Sequence, residues 1–238
     1  MIQPSTFNSN PYALGLRILA DQVEATLPQY APVPESPFRN VWDFLCCAAR
    51  TKDEAAGQVR QFPAAESRYD YLRELSRLRA ESRIFAVEKS RRMLITWWML
   101  GEYLWDTITH VNHANFVGSR KMEASAFLLG GERMLFMYEH IPVTVWPDKP
   151  RLEPRGRLES GYTRLECPDT GSYVQAIASG ADQLRQYTAT NVLCDEFAFW
   201  DRAEESWSAM RPTIEGGGHI DLVSTPELGA FMQQLLYD

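Results

Sequence analysis

The sequence lacks the features that mark secreted, disulfide-bonded or zinc-ribbon proteins. Its 238 residues include only four cysteines, none of which form a C-x-x-C pair: Cys46, Cys47, Cys167 and Cys194. This pattern predicts reduced cytosolic thiols. The first eleven residues have no charged start followed by an apolar run, and the apolar run Met93–Leu100 is too short to cross a bilayer. These absences predict a soluble intracellular protein with no membrane partner.

The chain also lacks an excess of positive charge. It has 24 Lys and Arg against 31 Asp and Glu, which gives a formal net charge of −7 and a pI near 5.2. Contact with nucleic acid would therefore need a local basic patch or assembly of several copies. The strongest candidate patch is the stretch 142–161, where three arginines are diluted by three acidic residues: Arg151, Arg155, Arg157, Asp148, Glu153 and Glu159.

The hydrophobic content of 45% suits one α/β core with an appended segment. Residues 1–37 begin polar, contain one amphipathic stretch at Leu14–Leu27 and end in a proline-rich linker. Two more helical patterns follow, at Val41–Ala49 and Glu66–Ser82. We therefore expect residues 1–79 to form an arm and helices that pack on the core, and residues 80–238 to form the main domain.

A strand, a short basic loop and a helix follow one another after Arg83, in the order of elements that surrounds a phosphate-binding loop. The strand pattern covers Ile84–Val87, and the helix is expected to open near Met93. The usual loop signature is G-x-x-x-x-G-K-[ST], in which glycines let the backbone approach phosphate, lysine supplies charge and the hydroxyl holds Mg²⁺. An ordinary buried strand that leads into a helix is the alternative.

The loop has no glycine, but it keeps a cation and a hydroxyl. Lys89 and Leu94 stand at the two glycine positions of the signature. Ile95 stands at the lysine position and Thr96 at the hydroxyl position. The N–H groups and the positive dipole end of the following helix would point into the loop, which favours an anion there.

A pair of carboxylates follows an apolar run about a hundred residues later. Val192–Cys194 predicts a buried parallel strand, and Asp195 and Glu196 stand at its C-terminal end. Ligands bind at that end of the strands in open α/β sheets. One carboxylate can hold Mg²⁺ while its neighbour orients and deprotonates the attacking water. The alternative is a solvated helix N-terminus, because more acidic residues follow closely.

Other strand and helix patterns complete the expected domain. Strands are predicted at Asn115–Ser119 and Ile220–Val223, and a hairpin at Thr163–Cys167 with Tyr173–Ile177. A helix from Arg120 to about His140 should break at Gly130-Gly131, and a final helix should run from about Glu227 to Tyr237.

Two further groups of residues could serve a nucleotide site. Ser224 and Thr225 follow the last strand and could sense a γ-phosphate, or only cap the helix after Pro226. Arg60, Gln61 and Phe62 could stack on and hydrogen-bond an adenine ring, or only form a turn before Pro63.

Taken together, these motifs resemble the ATPase domain of the large terminase subunits of tailed phages. The resemblance runs from about Trp42 to the C-terminus and rests on Lys89, Thr96, the Gly171-Ser172 hairpin, the Asp195-Glu196 strand and the Ser224-Thr225 strand end. It implies an α/β fold of the P-loop NTPase (ASCE) type, with a three-layer core, a mainly parallel sheet and an N-terminal helical segment.

The resemblance also implies a role for each matching residue. Lys89 would be the phosphate-loop lysine, with backbone donors from Ser90, Arg91, Arg92, Met93, Leu94 and Ile95. Thr96 and Asp195 would hold Mg²⁺, Glu196 would be the catalytic base, and Ser224 with Thr225 would couple hydrolysis to movement. Arg185, ten positions before Asp195, would be an arginine finger that acts on a neighbouring subunit. A surface arginine paired with Asp182 is its alternative.

The family implies an ATP- and Mg²⁺-dependent motor that drives double-stranded DNA into a procapsid. Its implied partners are the capsid portal, the small terminase subunit and further copies of the chain in a ring, in the host cytoplasm and transiently at the portal vertex. Large terminases usually continue into a nuclease domain, which we expect to be absent because the chain stops at Asp238. The alternatives are another P-loop DNA translocase or helicase-like ATPase, and a portal-docking module that does not hydrolyse ATP.

Overall fold

The computed structural model describes residues 35–53, 57–180 and 188–237. The predicted helix at Leu14–Leu27 and the candidate finger Arg185 lie outside these residues, and the division of the chain at residue 80 stays a prediction.

The helices and strands of the described residues follow in chain order. The first part contains α1 (Val41–Cys47), β1 (Arg50–Asp53), β2 (Gln58–Gln61), α2 (Asp70–Glu81), β3 (Ile84–Glu88), α3 (Ile95–Thr109), β4 (Ala114–Ser119), α4 (Met122–Leu129) and α5 (Met134–Glu139). The second part contains β5 (Glu153–Arg157), β6 (Tyr162–Cys167), β7 (Ser172–Ala178), β8 (Asn191–Asp195), α6 (Ala203–Glu215), β9 (His219–Ser224) and α7 (Phe231–Tyr237). None of the helices among the described residues is long and apolar enough to cross a membrane.

A seven-stranded sheet with the order β3-β9-β8-β4-β7-β6-β5 forms the centre of the domain. The neighbouring strands β3, β9, β8, β4 and β7 pair in parallel. β6 pairs antiparallel with β7, and β5 pairs antiparallel with β6. Parallel strands end at a common edge, so the C-terminal ends of β3, β9 and β8 lie side by side. This arrangement confirms the predicted α/β fold with a mainly parallel sheet.

Alternating side chains along the strands pack into separate cores on the two faces of the sheet. Val117 and Leu193 join the core formed with α1 to α5, while their neighbours Phe116, Val192 and Cys194 join the core with α6 and α7. The alternation follows from the two-residue period of a strand. Helices therefore cover both faces, as expected of a three-layer core.

Most strands agree with the sequence patterns, and the differences have local causes. The helix after the basic loop begins at Ile95 rather than near Met93, because Leu94 adopts a left-handed conformation with φ of 56°. The stretch 142–161 is not wholly an excursion from the core, since it contains β5, an edge strand paired with β6. The helix after β4 breaks at the predicted glycines, into α4 and α5.

Candidate functional site

The basic loop (residues 89–94) joins β3 to α3 and is held at both ends. The Lys89 N–H donates to the Ser224 carbonyl at 2.8 Å, which continues the pairing of β3 with β9. The Tyr71 hydroxyl donates to the Met93 carbonyl at 2.6 Å, so α2 secures the other end. The loop therefore sits beside the ends of β9 and β8, where the carboxylates are found.

Strained backbone is concentrated around this loop. Four non-glycine residues in the described part of the chain have positive φ. Arg92 and Leu94 belong to the loop, and Glu196 contacts it through Lys89. Leu94 takes up the left-handed conformation at a position where the usual signature has glycine. Such a conformation costs on the order of 1–3 kcal/mol and persists only where the surrounding structure enforces it. The chain thus preserves a loop shape without the residue that adopts it most easily.

Lys89 and Glu196 form one charged pair at the site. The Lys89 Nζ lies 2.6 Å from Glu196 Oε1, and the lysine side chain is only 9% exposed. The other carboxylate oxygen, Oε2, accepts hydrogen bonds from the N–H and the hydroxyl of Thr225, both at 2.9 Å. Burial opposes ionisation of Glu196, but the bonds from Lys89 and Thr225 outweigh it and lower the pKa. Glu196 is therefore an oriented carboxylate, held by the two residues beside it.

Thr96 and Asp195 form a second pair next to the first. The Thr96 hydroxyl donates to Asp195 Oδ1 at 3.0 Å. Burial is the main reason why the pKa of Asp195 is raised from 3.8 to about 6, and the nearby charge of Glu196 raises it further. A hydroxyl and a carboxylate offer only oxygen donors, which Mg²⁺ prefers. Because burial makes the ionised form of Asp195 unfavourable, a divalent cation bound beside it would stabilise that form.

A cleft of about 930 Å³ opens over Lys89, Thr96 and Asp195, whereas Glu196 lies beside Lys89 and outside the cleft lining. This volume lies in the range of small-molecule sites, about 300–1,000 Å³. Five basic and two acidic side chains line the cleft: Lys52, Arg60, Lys89, Arg92, Arg133, Asp53 and Asp195. Basic side chains thus outnumber acidic ones in the lining, with Lys52, Arg60 and Lys89 each paired to a carboxylate. The N-terminus of α3 adds its own positive end. A polyphosphate suits this arrangement.

The structure brings most of the sequence-predicted residues to this site. Loop residues Ser90, Arg92, Met93, Leu94 and Ile95 line the cleft with Lys89 and Thr96, whereas Arg91 is exposed and lies outside the lining. The predicted coupling residues contact the base candidate directly, since the Ser224 hydroxyl also lies 3.3 Å from Glu196 Oε2. The roles assigned to all these residues stay predictions.

The three residues proposed for adenine are separated by their packing. Arg60 lines the cleft, but Phe62 is 1% exposed and lies in the hydrophobic core. The Gln61 side-chain amide donates to the Cys46 carbonyl. Arg60 and Gln61 point to opposite sides of β2 because side chains alternate along a strand. Phe62 lies beyond the end of β2, where the chain turns into the short helix Pro63–Ala65. Of the three, only Arg60 is placed to meet a ligand in the cleft.

Arg133 is a residue of the cleft that the sequence reasoning did not single out. Its guanidinium lies 4.9 Å from the Trp97 ring centroid and 5.0 Å from that of Phe127. Its charge lowers the pKa of Asp195, though less than Lys89 does. Arg133 lies between α4 and α5, 62 residues before Asp195. No local motif marks such a position, because only packing of α5 brings it to the cleft.

We expect Asp195→Asn to stabilise the metal-free chain. A folded-state pKa of about 6 against 3.8 means that ionised Asp195 opposes folding at neutral pH, by roughly 3 kcal/mol at most. The free energy of unfolding at pH 8 in EDTA should rise by about 1–3 kcal/mol, and the gain should vanish as the pH falls through 6 towards 4. The sign follows because the folded wild type binds a proton in that window and the unfolded chain does not.

Urea denaturation of the variant beside Asp148→Asn tests this expectation. Asp148 is exposed, so its replacement should leave the free energy of unfolding within about 0.5 kcal/mol. An unchanged free energy of unfolding for Asp195→Asn would mean that Lys89 and Thr96 already stabilise the buried Asp195 carboxylate.

Comparison with solved structures identifies the fold. The crystal structure of the HK97 bacteriophage large terminase matches over 82% of this chain and 39% of that chain, with a TM-score of 0.57 and 12% identity. The Thermus phage P74-26 large terminase ATPase domain matches over 71% and 72% of the two chains, with a TM-score of 0.48 and 17% identity. A large terminase from a thermophilic bacteriophage, in complex with ADP, matches over 67% and 39%, with a TM-score of 0.48 and 12% identity.

The HK97 match confirms that this chain has the terminase ATPase-domain fold predicted from its motifs. The chain spans about two fifths of the length of that terminase. No protein-family model matches the sequence, and no curated protein matches it.

Proposed function

We propose that this chain is the ATP-hydrolysing motor domain of a phage large terminase, which drives double-stranded DNA into the procapsid. One observation carries the proposal: the Lys89–Glu196 and Thr96–Asp195 pairs lie at the C-terminal end of the parallel strands, beside a cleft that Lys89, Thr96 and Asp195 line. The pairs supply the phosphate cation, metal ligands and base that phosphoryl transfer to water needs. The shared fold with a large terminase supports the same conclusion.

Each pair has a distinct task in the proposed reaction. The phosphates of ATP bind the basic loop and the N-terminus of α3, with Lys89 neutralising their charge. Thr96 and Asp195 hold Mg²⁺, which neutralises charge on the phosphate oxygens when bound. Glu196 accepts a proton from the water that attacks the γ-phosphate.

The contact between Lys89 and Glu196 makes the basicity of the Glu196 carboxylate depend on whether a nucleotide is bound. Without a phosphate, the lysine at 2.6 Å holds the Glu196 carboxylate in its ionised form and lowers its pKa. A γ-phosphate that draws Lys89 away removes this bond, which leaves Glu196 a stronger base when substrate is present. Thr225 keeps the carboxylate oriented in both cases.

The assembled motor is proposed to be a homo-oligomeric ring at the capsid portal, working with the small terminase subunit in the host cytoplasm. Arg185 is the proposed arginine finger, which a neighbouring copy would supply to the transition state. The isolated chain would then hydrolyse ATP slowly when dilute. Its turnover would rise more steeply than its concentration.

Steady-state ATP hydrolysis by the full chain tests the proposal, from dilute to high protein concentration, with Mg²⁺ or with EDTA. Turnover that needs Mg²⁺ and rises more than linearly with protein concentration supports a motor whose active site is completed by a neighbouring subunit. ATP binding without turnover, even after portal and DNA are added, would instead favour a docking module. Strand separation of duplex DNA would favour a helicase-like translocase.

We expect Lys89→Ala to weaken ATP binding at least tenfold, because it removes the buried cation at the start of the loop. Equilibrium binding of a fluorescent ATP analogue measures this loss. Arg91→Ala is the matched control, since Arg91 is exposed and lies outside the cleft lining. Equal binding by wild type and Lys89→Ala would transfer the phosphate-binding role to Arg92 or Arg133.

A further inference from the structure

A cluster of one carboxylate and two imidazoles lies at the edge of the sheet opposite the cleft. Asp106 is on the last turn of α3, and His110 and His113 belong to the turn that leads into β4. With 15 residues, α3 is about 22 Å long and separates the cluster from the cleft. The proposed ATPase chemistry uses none of these three residues.

Both imidazoles face the same carboxylate. The Nδ1 atom of His113 lies 2.9 Å from Asp106 Oδ2. That of His110 lies 3.7 Å from Asp106 Oδ1 and 3.0 Å from the Thr109 hydroxyl oxygen, which an ion would replace as its partner. The rings are nearly parallel, at 18°, with centroids 4.9 Å apart. One potential ligand atom from each residue lies within 4.8 Å of the others. Two stacked imidazoles aimed at one carboxylate form a three-point donor set.

The turn that carries the histidines is held by the β6–β7 hairpin. The Ser172 hydroxyl donates to the His110 carbonyl at 2.6 Å and accepts from the His113 N–H at 2.8 Å. Between them, Asn112 has a φ of 60°, and its N–H donates to the Thr170 carbonyl at 3.0 Å. The backbone positions of both histidines are therefore set before any ligand arrives.

Hydrogen bonds from neighbouring side chains orient the carboxylate as well. The Asn115 amide donates to Asp106 Oδ2 at 2.8 Å, and its own oxygen accepts from the Asn191 amide at 2.8 Å. Burial works against ionisation of Asp106, but the bonds from His113 and Asn115 outweigh it and lower the pKa. Partners that fix a ligating carboxylate in this way are typical of metal centres.

We propose that Asp106, His110 and His113 bind one divalent transition-metal ion of the Zn²⁺ class, separately from the Mg²⁺ of the cleft. Two imidazole nitrogens with one carboxylate suit Zn²⁺ and its neighbours in the first transition row, whereas Mg²⁺ prefers oxygen alone. Binding requires neutral imidazoles with the proton on Nε2, so that each Nδ1 faces the ion. An ion about 2.1 Å from each donor draws His110 inward, which its half-exposed side chain allows.

Such an ion would join the end of α3 to the start of β4. The main consequence is stability, because binding to the folded state alone raises the free energy of unfolding. Saturating Zn²⁺ should therefore raise the melting temperature by about 5 °C or more. The ion lies far from the cleft, so it takes no part in hydrolysis.

The test uses the full chain without an affinity tag and measures Zn²⁺ binding by calorimetry, the melting temperature with and without Zn²⁺, and the visible spectrum with Co²⁺. Wild type should bind one ion, and His110→Gln/His113→Gln should bind at least tenfold more weakly. His140→Gln is the control, because His140 is exposed and lies outside the cluster. His110→Gln alone keeps the Asp106–His113 pair and serves as a second variant if the double variant folds poorly.

Three results would overturn the proposal. Equal Zn²⁺ affinity in wild type and both cluster variants would place the ion elsewhere. A thiolate-to-cobalt charge-transfer band would assign binding to cysteines, of which Cys47 is exposed. Absence of binding would leave the cluster as hydrogen bonds alone.

Discussion

Replacing Glu196 by glutamine should leave ATP binding intact and slow hydrolysis by about 10²–10⁴-fold, the usual contribution of a positioned base. Glutamine keeps an oxygen that can accept the two bonds from Thr225, so the side chain stays in place. It cannot take a proton from water at neutral pH. The loss should therefore appear in turnover rather than in affinity, and single-turnover kinetics with saturating ATP would measure it.

Glu227→Gln is the matched control for this experiment. Glu227 is an exposed glutamate two residues beyond Thr225, outside the cleft lining. Glu196, by contrast, contacts Lys89 of the cleft lining and is held by Thr225. Replacement of Glu227 should therefore leave both binding and turnover near the wild-type values. Full turnover by Glu196→Gln would mean that another group deprotonates the water, and the proposed reaction would lose its base.

Replacing Arg79 by leucine should destabilise the fold by about 3–5 kcal/mol, the cost of leaving a buried charge without its partner. Arg79 of α2 donates to both oxygens of Asp221 in β9, at 3.0 and 2.9 Å, and the Asp221 side chain is fully buried. The Tyr103 hydroxyl also donates to Asp221 but carries no charge. Arg79 also lies 3.6 Å from Glu102 Oε2, a buried carboxyl whose pKa is raised by burial, so its two hydrogen bonds to Asp221 are the shorter contacts.

Arg77→Leu on the same helix is the matched control. Arg77 pairs with Glu74 and Glu81 at 2.6 Å, but its side chain is 53% exposed. Exposed pairs contribute about 0–1 kcal/mol, so this variant should change the free energy of unfolding little. Urea denaturation compares the two, and similar losses would show that the fold does not depend on the contact of Arg79 with Asp221.

A double variant separates the charge from the packing. Arg79→Met with Asp221→Asn removes both charges, and asparagine can still accept the Tyr103 hydrogen bond. Its stability should recover a large part of the Arg79→Leu loss, since neutral replacement of a buried pair is often tolerated. No recovery would assign the loss to the packing of Arg79 instead.

The elements predicted well from the sequence are those whose burial pattern is local. The strands that became β3, β4, β8 and β9 were each found to within about two residues, because each contains a short apolar run. The edge strand β5 was missed for the opposite reason. Its residues are mostly exposed, and Pro154 and Gly156 interrupt any strand pattern.

The candidate site shows the same division. Thr96 and Asp195 were expected together, because a phosphate loop and a carboxylate strand both end at one sheet edge. The contact of Lys89 with Glu196 was not expected, because the motifs assigned Lys89 to a phosphate and Glu196 to the attacking water. It arises because β9 lies between β3 and β8, and the order of strands in a sheet depends on crossovers that periodicity does not encode.

By itself, the sequence determined the parallel strands β3, β4, β8 and β9, where the loop lies and which residue types reach the edge of the sheet, but not the strands β1, β2 and β5. These properties follow from side-chain period, chain geometry and short motifs. Only the tertiary structure decided that Arg133 enters the cleft, that Phe62 turns into the core, and that Asp106 meets both histidines. Those contacts depend on how segments that are distant in the sequence pack together. Local sequence patterns allow several packing arrangements, and the burial of apolar surface between the segments decides which one forms.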